Sequence, residues 1–298
     1  MDLTLEESIR AIIQGRLCYI REQISNREQE DIHVLIHEIR KTLKRIRAVL
    51  KLIRDEIGYS DYYRENAFYR DLGRRLSGAR DSYVLGQVLS SLREKYPGAV
   101  RKSESERLIR HLDQKTGREI IRFSGQCDGF DHMEKELARA SGRTGEYCRL
   151  RNDFISLKNG IRRIYKRGRR HLSGVQKQFD MAGFHEYRKN NKYLLHQMEI
   201  IMPIYPRVLK SYVRSIDRHA DILGESRDLD RLELFLQNEA ESLIRDTVRS
   251  SMLEKIKDER EVLLEQAFSE SSLIYAEPPG VFVNRLEAYW EAHDHSHT

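Results

Sequence analysis

Residues 31–54 read DIHVLIHEIRKTLKRIRAVLKLIR, and this stretch decides the fold class. When it is projected as a helix of 3.6 residues per turn, apolar side chains such as Leu35, Ile39 and Leu43 share one face. Histidine, lysine and arginine share the other face. From position 33 onward the stretch holds seven Lys or Arg residues and one acid, Glu38. The pattern predicts a helix with one core-facing stripe and one basic stripe.

The rest of the chain repeats the helical spacing of apolar residues and lacks convincing runs of alternating β-branched residues. We therefore predict an all-α protein. Helix ends are expected at Pro97-Gly98, at Pro203 and at Pro278-Pro279, because proline lacks the amide donor and glycine tolerates left-handed dihedrals. Separate helices are also expected over 100–115 and 118–141 and over 205–223 and 227–239.

An internal repeat divides the chain into two related halves. His37-x-x-Arg40-Lys41 recurs as His185-x-x-Arg188-Lys189, and Arg80-Asp81 recurs as Arg227-Asp228. We expect each Arg-Asp pair to be mainly structural, with the aspartate favouring the start of a helix. The glycine-rich stretch 141–145 is the predicted boundary, which gives an N-terminal bundle over 1–142 and a C-terminal bundle over 146–298.

Charge is segregated along the chain. The 298 residues are 39% hydrophobic and 34% charged, with a net charge of only +6. Residues 149–177 nevertheless contain ten Lys or Arg and one acid, whereas residues 228–270 contain twelve acids and six bases. Segregation of this kind concentrates positive potential on particular elements, where an anionic partner should bind.

Three basic stripes are the candidate binding surface. They lie on the helices predicted near 31–57, 147–180 and 183–202, and two of them belong to the two copies of the repeat. Their candidate contact residues are His33, His37, Arg40, Lys41, Lys44, Arg47 and Lys51, then Lys158, Arg162, Arg163, Lys166, Arg169 and Arg170, and finally His185, Arg188, Lys189, Lys192 and His196.

A solvated helix face is the ordinary explanation of any one basic stripe. Three features favour a binding role instead: the stripes have almost no acids at i,i+4, they recur in both copies, and they are rich in arginine, whose planar fork matches phosphate oxygens. The i,i+4 pair His33 and His37 could also hold a metal ion, but the cations beside it would repel one. The residues thus indicate a groove for a long polyanion, with no metal and no cofactor.

Other functional classes lack their signatures. We find no phosphate-binding glycine loop, no nucleophile elbow and no metal-dependent tunnel motif, so a non-enzymatic protein is expected. Cys18, Cys127 and Cys148 are widely spaced and form no C-x-x-C, which favours a reducing cytosol. No apolar run approaches the roughly 18 residues that a membrane span needs, so we expect no membrane partner.

The motifs together resemble the CHAD family, the conserved histidine α-helical domain. The resemblance covers nearly the whole chain and rests on four ordered elements: His37-x-x-Arg40-Lys41-x-x-Lys44-Arg45-x-Arg47; Arg80-Asp81-x-x-Val84-Leu85; Gly160-Ile-Arg162-Arg163-Ile-Tyr165-Lys166-Arg167-Gly168-Arg169-Arg170; and His185-x-x-Arg188-Lys189-x-x-Lys192-Tyr193-Leu194.

The resemblance implies two pseudo-symmetric helical bundles around a central basic cavity, with inorganic polyphosphate as ligand and an association with polyphosphate granules. Two features depart from the family pattern. Ser77, where the family often has glycine, is expected to change one helix end, and Asn190 and Asn191 are expected to weaken one wall, without removing the site. Two alternatives stay open: a nucleic-acid-binding protein, and a regulatory partner of a phosphate-metabolising enzyme. Protein partners are not predicted.

Overall fold

The computed structural model describes residues 3–98, 100–125 and 129–295, and every regular element in these ranges is a helix. The all-α prediction is confirmed. The α-helices are α1 (Leu5–Ser25), α2 (Ile32–Leu52), α3 (Arg54–Ile57), α4 (Tyr59–Arg75), α5 (Ser77–Lys95), α6 (Lys102–Gly125), α7 (Gly129–Tyr147), α8 (Ile155–Lys177), α9 (Met181–Ile201), α10 (Pro206–Asn238), α11 (Asp246–Ile274) and α12 (Pro279–His295), with a 3-10 turn at Met202–Ile204.

Short polar side chains begin the helices that matter most for the site. Asp31 accepts a hydrogen bond from the backbone N–H of His33 at 2.6 Å and so begins α2. Asp180 does the same for α9, accepting from the N–H of Gly183 at 2.7 Å. These carboxylates satisfy amides that have no partner inside the helix and favour the positive end of its dipole.

The proline breaks are confirmed, and three other predicted helix ends are wrong. α6 continues through 116–117, α7 continues through 141–145, and α10 is one helix where two were expected. None of these stretches contains proline, and a single glycine in a helix costs only about 1 kcal/mol. Buried neighbours such as Ala140, Thr144 and Leu223 hold the backbone helical there.

The chain forms two compact units. The first consists of residues 1–73, 130–220 and 270–298, and the second of residues 74–129 and 221–269. This division differs from the boundary predicted at 141–145, which lies inside α7. The two copies of the His-x-x-Arg-Lys element do not fall into separate units. Their helices, α2 and α9, pack together in the first unit. The duplication itself and the central cavity stay predictions.

In the first unit, α2 packs against α1, α8 and α9, and α8 packs against α9 and α12. Its core includes fully buried Leu35, Ile39 and Ile46 from α2 and Leu194 and Met198 from α9. Burial of aliphatic side chains of this size stabilises a fold by about 1.5–3 kcal/mol each. The apolar stripe of each helix therefore fixes which way its basic stripe can turn.

The second unit is held by a core from α5, α6, α10 and α11, in which Leu89, Leu108, Leu232, Leu236 and Met252 are fully buried.

The two Arg-Asp pairs also lie in the second unit. Asp81 accepts a hydrogen bond from Arg231 at 2.7 Å. Burial lowers the pKa of Arg80, and the nearby charge of Asp228 partly opposes that shift. The expected capping role is wrong, because Asp81 lies within α5 and Asp228 lies in the middle of α10. The pairs form an internal ion network instead.

Candidate functional site

The basic face of α2 is attached along one edge to α4. Arg40 donates to the backbone carbonyl of Gly73. Nε of Arg47 donates to the amide oxygen of Asn66 at 3.1 Å, and Nζ of Lys51 donates to the hydroxyl of Tyr62 at 3.0 Å. All three acceptors are neutral, so these bonds position the cations without cancelling their charge.

Five cations of the first unit lie around Lys51, and we call the six side chains together the basic cluster. They come from α2, α3, α8 and α9. Burial and the charges of Arg47, Arg167, Lys189 and Arg54 lower the pKa of Lys51 to about 8. Burial raises the pKa of neighbouring Tyr62, and the charges of Arg54, Arg47 and Arg163 oppose that rise, so Arg163 also lies nearby. The basic cluster is Arg47, Lys51, Arg54, Arg163, Arg167 and Lys189.

Aromatic rings form the inner wall of the basic cluster. Nζ of Lys51 lies 4.8 Å from the ring centre of Tyr193 and 5.7 Å from that of Tyr62, and the Arg54 guanidinium lies 4.9 Å from Tyr62. Both rings are nearly inaccessible to solvent. The rings attract the cations but also exclude water from them, which explains why the pKa of Lys51 falls.

Two carboxylates pair with members of the basic cluster. Asp55 contacts Arg163, and Glu186 lies 2.5 Å from Lys189. Across the described part of the chain, Arg47, Lys51, Arg54 and Arg167 have no carboxylate within ion-pair distance. The cluster therefore keeps an excess of positive charge in a partly dehydrated place, which favours an anion.

A glycine lets α8 approach closely enough to complete the cluster. A Cβ on Gly160 would lie 2.0 Å from the backbone carbonyl oxygen of Leu52, the last residue of α2. No side chain fits there. The close crossing brings Arg163 and Arg167, one and two turns further along α8, to the same region: Arg167 lies near Lys51, and Arg163 lies near Tyr62.

The predicted α2 stripe reaches far beyond the cluster. His33 lies in the first turn of α2, about 27 Å from Lys51 at 1.5 Å per residue. There, Glu38 lies 3.9 Å from His37 and 3.0 Å from Lys41. Lys44 is exposed midway along the helix. The structure thus places the predicted α2 residues along one edge of the helix and gathers only Arg47 and Lys51 into the cluster.

The basic stripe of α8 splits between two sides of the helix. Lys158 pairs with Glu287 of α12 at 2.6 Å. Burial raises the pKa of Tyr165, and the charge of nearby Arg169 opposes that rise. Arg162 and Lys166 are exposed.

Arg170 borders the cluster. Burial is the main cause of the lowered pKa of His171, and the charges of Arg170, Arg167 and Lys189 lower it further.

On α9, only Lys189 belongs to the cluster. His196 is 8% exposed and its Nδ1 lies 3.0 Å from Glu199; burial, the largest cause, lowers its pKa. We therefore leave His196 out of the candidate contacts. His185 is exposed, whereas Arg188 and Lys192 are half-buried.

Asn190 and Asn191 lie on the core side of α9. Asn191 is fully buried, donating to the carbonyl of Ile216 at 3.4 Å and accepting from Tyr275 at 3.3 Å. Asn190, also buried, donates to the carbonyl of Glu186 at 2.7 Å. Both side chains therefore lie behind the basic face of α9, where Asn191 joins α9 to Ile216 of α10 and to Tyr275. That they weaken a wall of the site stays a prediction.

Two members of the cluster, Arg54 and Arg167, were absent from the predicted contacts. Arg167 lies four residues after Arg163 and three before Arg170, so helical spacing alone could have found it. Arg54 begins a separate short helix, α3, and its position follows only from the crossing of α2 and α8.

The profile of the CHAD domain matches residues 11–237. The chain belongs to the CHAD domain family. It is similar to the crystal structure of the CHAD domain from the plant Ricinus communis, with 18% identity and a TM-score of 0.62 over 98% of this chain and 93% of that one. It is also similar to PptA from Streptomyces chartreusis, with 12% identity and a TM-score of 0.60 over 92% of this chain and 100% of that one.

No curated protein matched this CHAD chain. The two structural likenesses support the fold alone, since both identities are low.

Within residues 3–98, 100–125 and 129–295, no three His, Cys, Asp or Glu side chains are grouped to hold a metal ion. None of the helices in those ranges combines the length and apolar character of a membrane span. Cys18 is exposed and Cys148 is buried, both with free thiols, while Cys127 lies outside the described residues.

Proposed function

We propose that this CHAD protein binds inorganic polyphosphate through the basic cluster and does not turn it over. The observation that carries the proposal is the convergence of Arg47, Arg54, Arg167 and Lys189 on Lys51, whose pKa they help lower to about 8. A free protein holds such mutually repelling charges at a cost. A polyanion would relieve that repulsion, so binding gains from the arrangement.

Polyphosphate suits this site for geometric reasons. Its phosphates carry charge at every unit of a flexible chain. The cluster contains four arginines, of which Arg54 and Arg167 have no carboxylate within ion-pair distance among the described residues and can each bind two oxygens. The exposed or half-buried cations Lys44, Arg162, Lys166, Arg170 and Lys192 extend the basic surface beyond it. The protein would act as a cytoplasmic module that attaches to polyphosphate granules, with no cofactor.

The test removes two charges from the cluster. Arg167→Gln with Lys189→Gln should weaken binding of long-chain polyphosphate at least tenfold at near-physiological salt, measured by titration calorimetry, because each charge-assisted contact contributes about 1.5–3 kcal/mol. Lys135→Gln with Arg139→Gln is the matched control, since both are exposed on α7 and it removes the same charge. Equal losses in the two variants would contradict the proposed location.

The absence of turnover needs its own measurement. Purified protein incubated with polyphosphate and Mg²⁺ or Mn²⁺ should leave chain length unchanged and release no orthophosphate. Shortened chains that disappear in the Arg167→Gln, Lys189→Gln variant would show that the cluster belongs to an enzyme.

A further inference from the structure

An exposed pair of tyrosines borders the basic cluster. Tyr59 and Tyr63 lie one turn apart on α4, with ring centres 4.1 Å apart. Tyr59 is 69% exposed and Tyr63 is 44% exposed. Burying a tyrosine ring is favourable, so two large rings left together in water mark a surface able to receive another flat apolar group.

The pair is joined to the cluster through Arg54 and Tyr62. The Arg54 guanidinium lies 5.7 Å from the ring centre of Tyr63, and the rings of Tyr62 and Tyr63 meet edge to face at 5.2 Å. Tyr62 in turn accepts the hydrogen bond from Lys51. One ring therefore separates the exposed aromatic pair from the most dehydrated ammonium of the cluster.

A backbone turn that favours glycine joins the helix of Arg54 to the helix of Tyr63. Gly58, between α3 and α4, has φ +79°, a conformation that side-chain-bearing residues rarely adopt. It lets the chain turn between the end of α3 at Ile57 and the start of α4 at Tyr59. As a result Arg54 and Tyr63 come together although they belong to different helices.

We propose that this edge of the cluster binds a nucleoside polyphosphate, with its base stacked on Tyr59 and Tyr63 and its phosphates on Arg54, Lys51 and Arg47. The inference rests on the proposed function, because the same cations hold the phosphates. A single aromatic pair beside several cations matches one base with several phosphates. A single-stranded nucleic acid would call for successive stacking platforms along a basic groove.

The test compares ATP with inorganic tripolyphosphate by titration calorimetry, in EDTA and at two salt concentrations. Tripolyphosphate carries more negative charge than ATP at the same number of phosphates, so charge alone favours tripolyphosphate. Stacking of one base should make ATP bind about five- to a hundredfold more tightly. The ratio should grow with salt, because salt screens the phosphate contacts and leaves stacking.

Variants separate the base from the phosphates. Tyr59→Ala should abolish the preference for ATP and leave tripolyphosphate affinity unchanged, whereas Tyr59→Trp should increase the preference. Tyr205→Ala is the control, because Tyr205 is also an exposed tyrosine of the first unit but contacts Tyr289 of α12. A loss of ATP preference in the control equal to that in Tyr59→Ala would overturn the assignment.

Each outcome has a definite reading. If tripolyphosphate binds as tightly as ATP and Tyr59→Ala changes neither, the nucleotide inference is wrong while the proposed function stands. If neither tripolyphosphate nor long polyphosphate binds, the proposed function fails. If a single-stranded oligonucleotide binds more tightly than ATP at equal phosphate count, the ligand is a nucleic acid and the nucleotide inference is overturned.

Discussion

Lys51 is the residue whose protonation should couple to ligand binding. Its pKa is lowered to about 8 by burial and by four neighbouring cations. A bound polyanion would raise that pKa again, so binding favours the protonated form. We expect polyphosphate affinity to fall as pH rises through about 8. The total fall should be up to roughly tenfold for each unit by which the ligand raises the pKa of Lys51. Calorimetric titration between pH 7 and 9.5 measures it.

The control variant keeps the positive charge at position 51 but replaces the ammonium with a group that does not titrate in this pH range. Lys51→Arg should bind polyphosphate with little dependence on pH in this range, because a guanidinium stays protonated. If Lys51→Arg shows the same fall as the unaltered protein, another group is responsible and Lys51 is not coupled to the ligand.

The same residue should limit the stability of the unliganded protein. The folded-state pKa of Lys51 is lower than its ordinary 10.5, so charged Lys51 destabilises the fold at all pH values below about 8, and stability rises with pH between 8 and 10.5. Lys51→Met should raise the free energy of unfolding at pH 7 by about 1–3 kcal/mol, given about 1.4 kcal/mol per pKa unit and the lost bond to Tyr62. Chemical denaturation at pH 7 and pH 10 tests this, with a gain expected only at pH 7.

At the scale of the helices, the approach of α8 to α2 decides whether the cluster forms. A Cβ on Gly160 would meet the Leu52 carbonyl oxygen at 2.0 Å, and this atom belongs to the backbone and cannot rotate away. Gly160→Ala should therefore destabilise the protein by about 2–3 kcal/mol and weaken polyphosphate binding in the fraction that folds. Thermal and chemical denaturation measure the first effect.

Gly174→Ala on the same helix is the matched control. Nothing lies within 4 Å of a Cβ there, so alanine should stabilise the helix by about 0.5–1 kcal/mol. Similar losses of stability in both variants would mean that the contact with Leu52 is not what constrains position 160.

Across the whole molecule, binding should depend steeply on salt. If all six cations of the basic cluster contact phosphates, the slope of log affinity against log salt should be near −4, by analogy with single-stranded nucleic acid. Affinity would then fall roughly several hundredfold between 50 and 200 mM salt. The Arg167→Gln, Lys189→Gln variant should have a slope less negative by about 1.4. An unchanged slope would show that these two side chains do not contact the ligand.

Most of the fold and part of the site could be predicted from residue patterns. The all-α class followed from helical spacing, and Arg47, Lys51, Arg163 and Lys189 were among the predicted contacts. Helix ends without proline were harder, since α7 and α10 pass through glycines whose small cost is offset by buried neighbours. His196 is buried, although the sequence pattern had placed it on the basic face, because a histidine at the edge of a basic stripe can equally face the core and local spacing does not determine burial.

The sequence by itself determined that α2, α8 and α9 are helices with one apolar and one basic side, because side-chain periodicity is local chemistry. Only the tertiary structure decided which cations meet. Gly160 allows α8 to cross α2 at Leu52, Gly58 turns Tyr63 toward Arg54, and Glu199 and Glu287 engage His196 and Lys158. Electrostatic potential depends on distances between helices far apart in the chain, and those distances are set by packing.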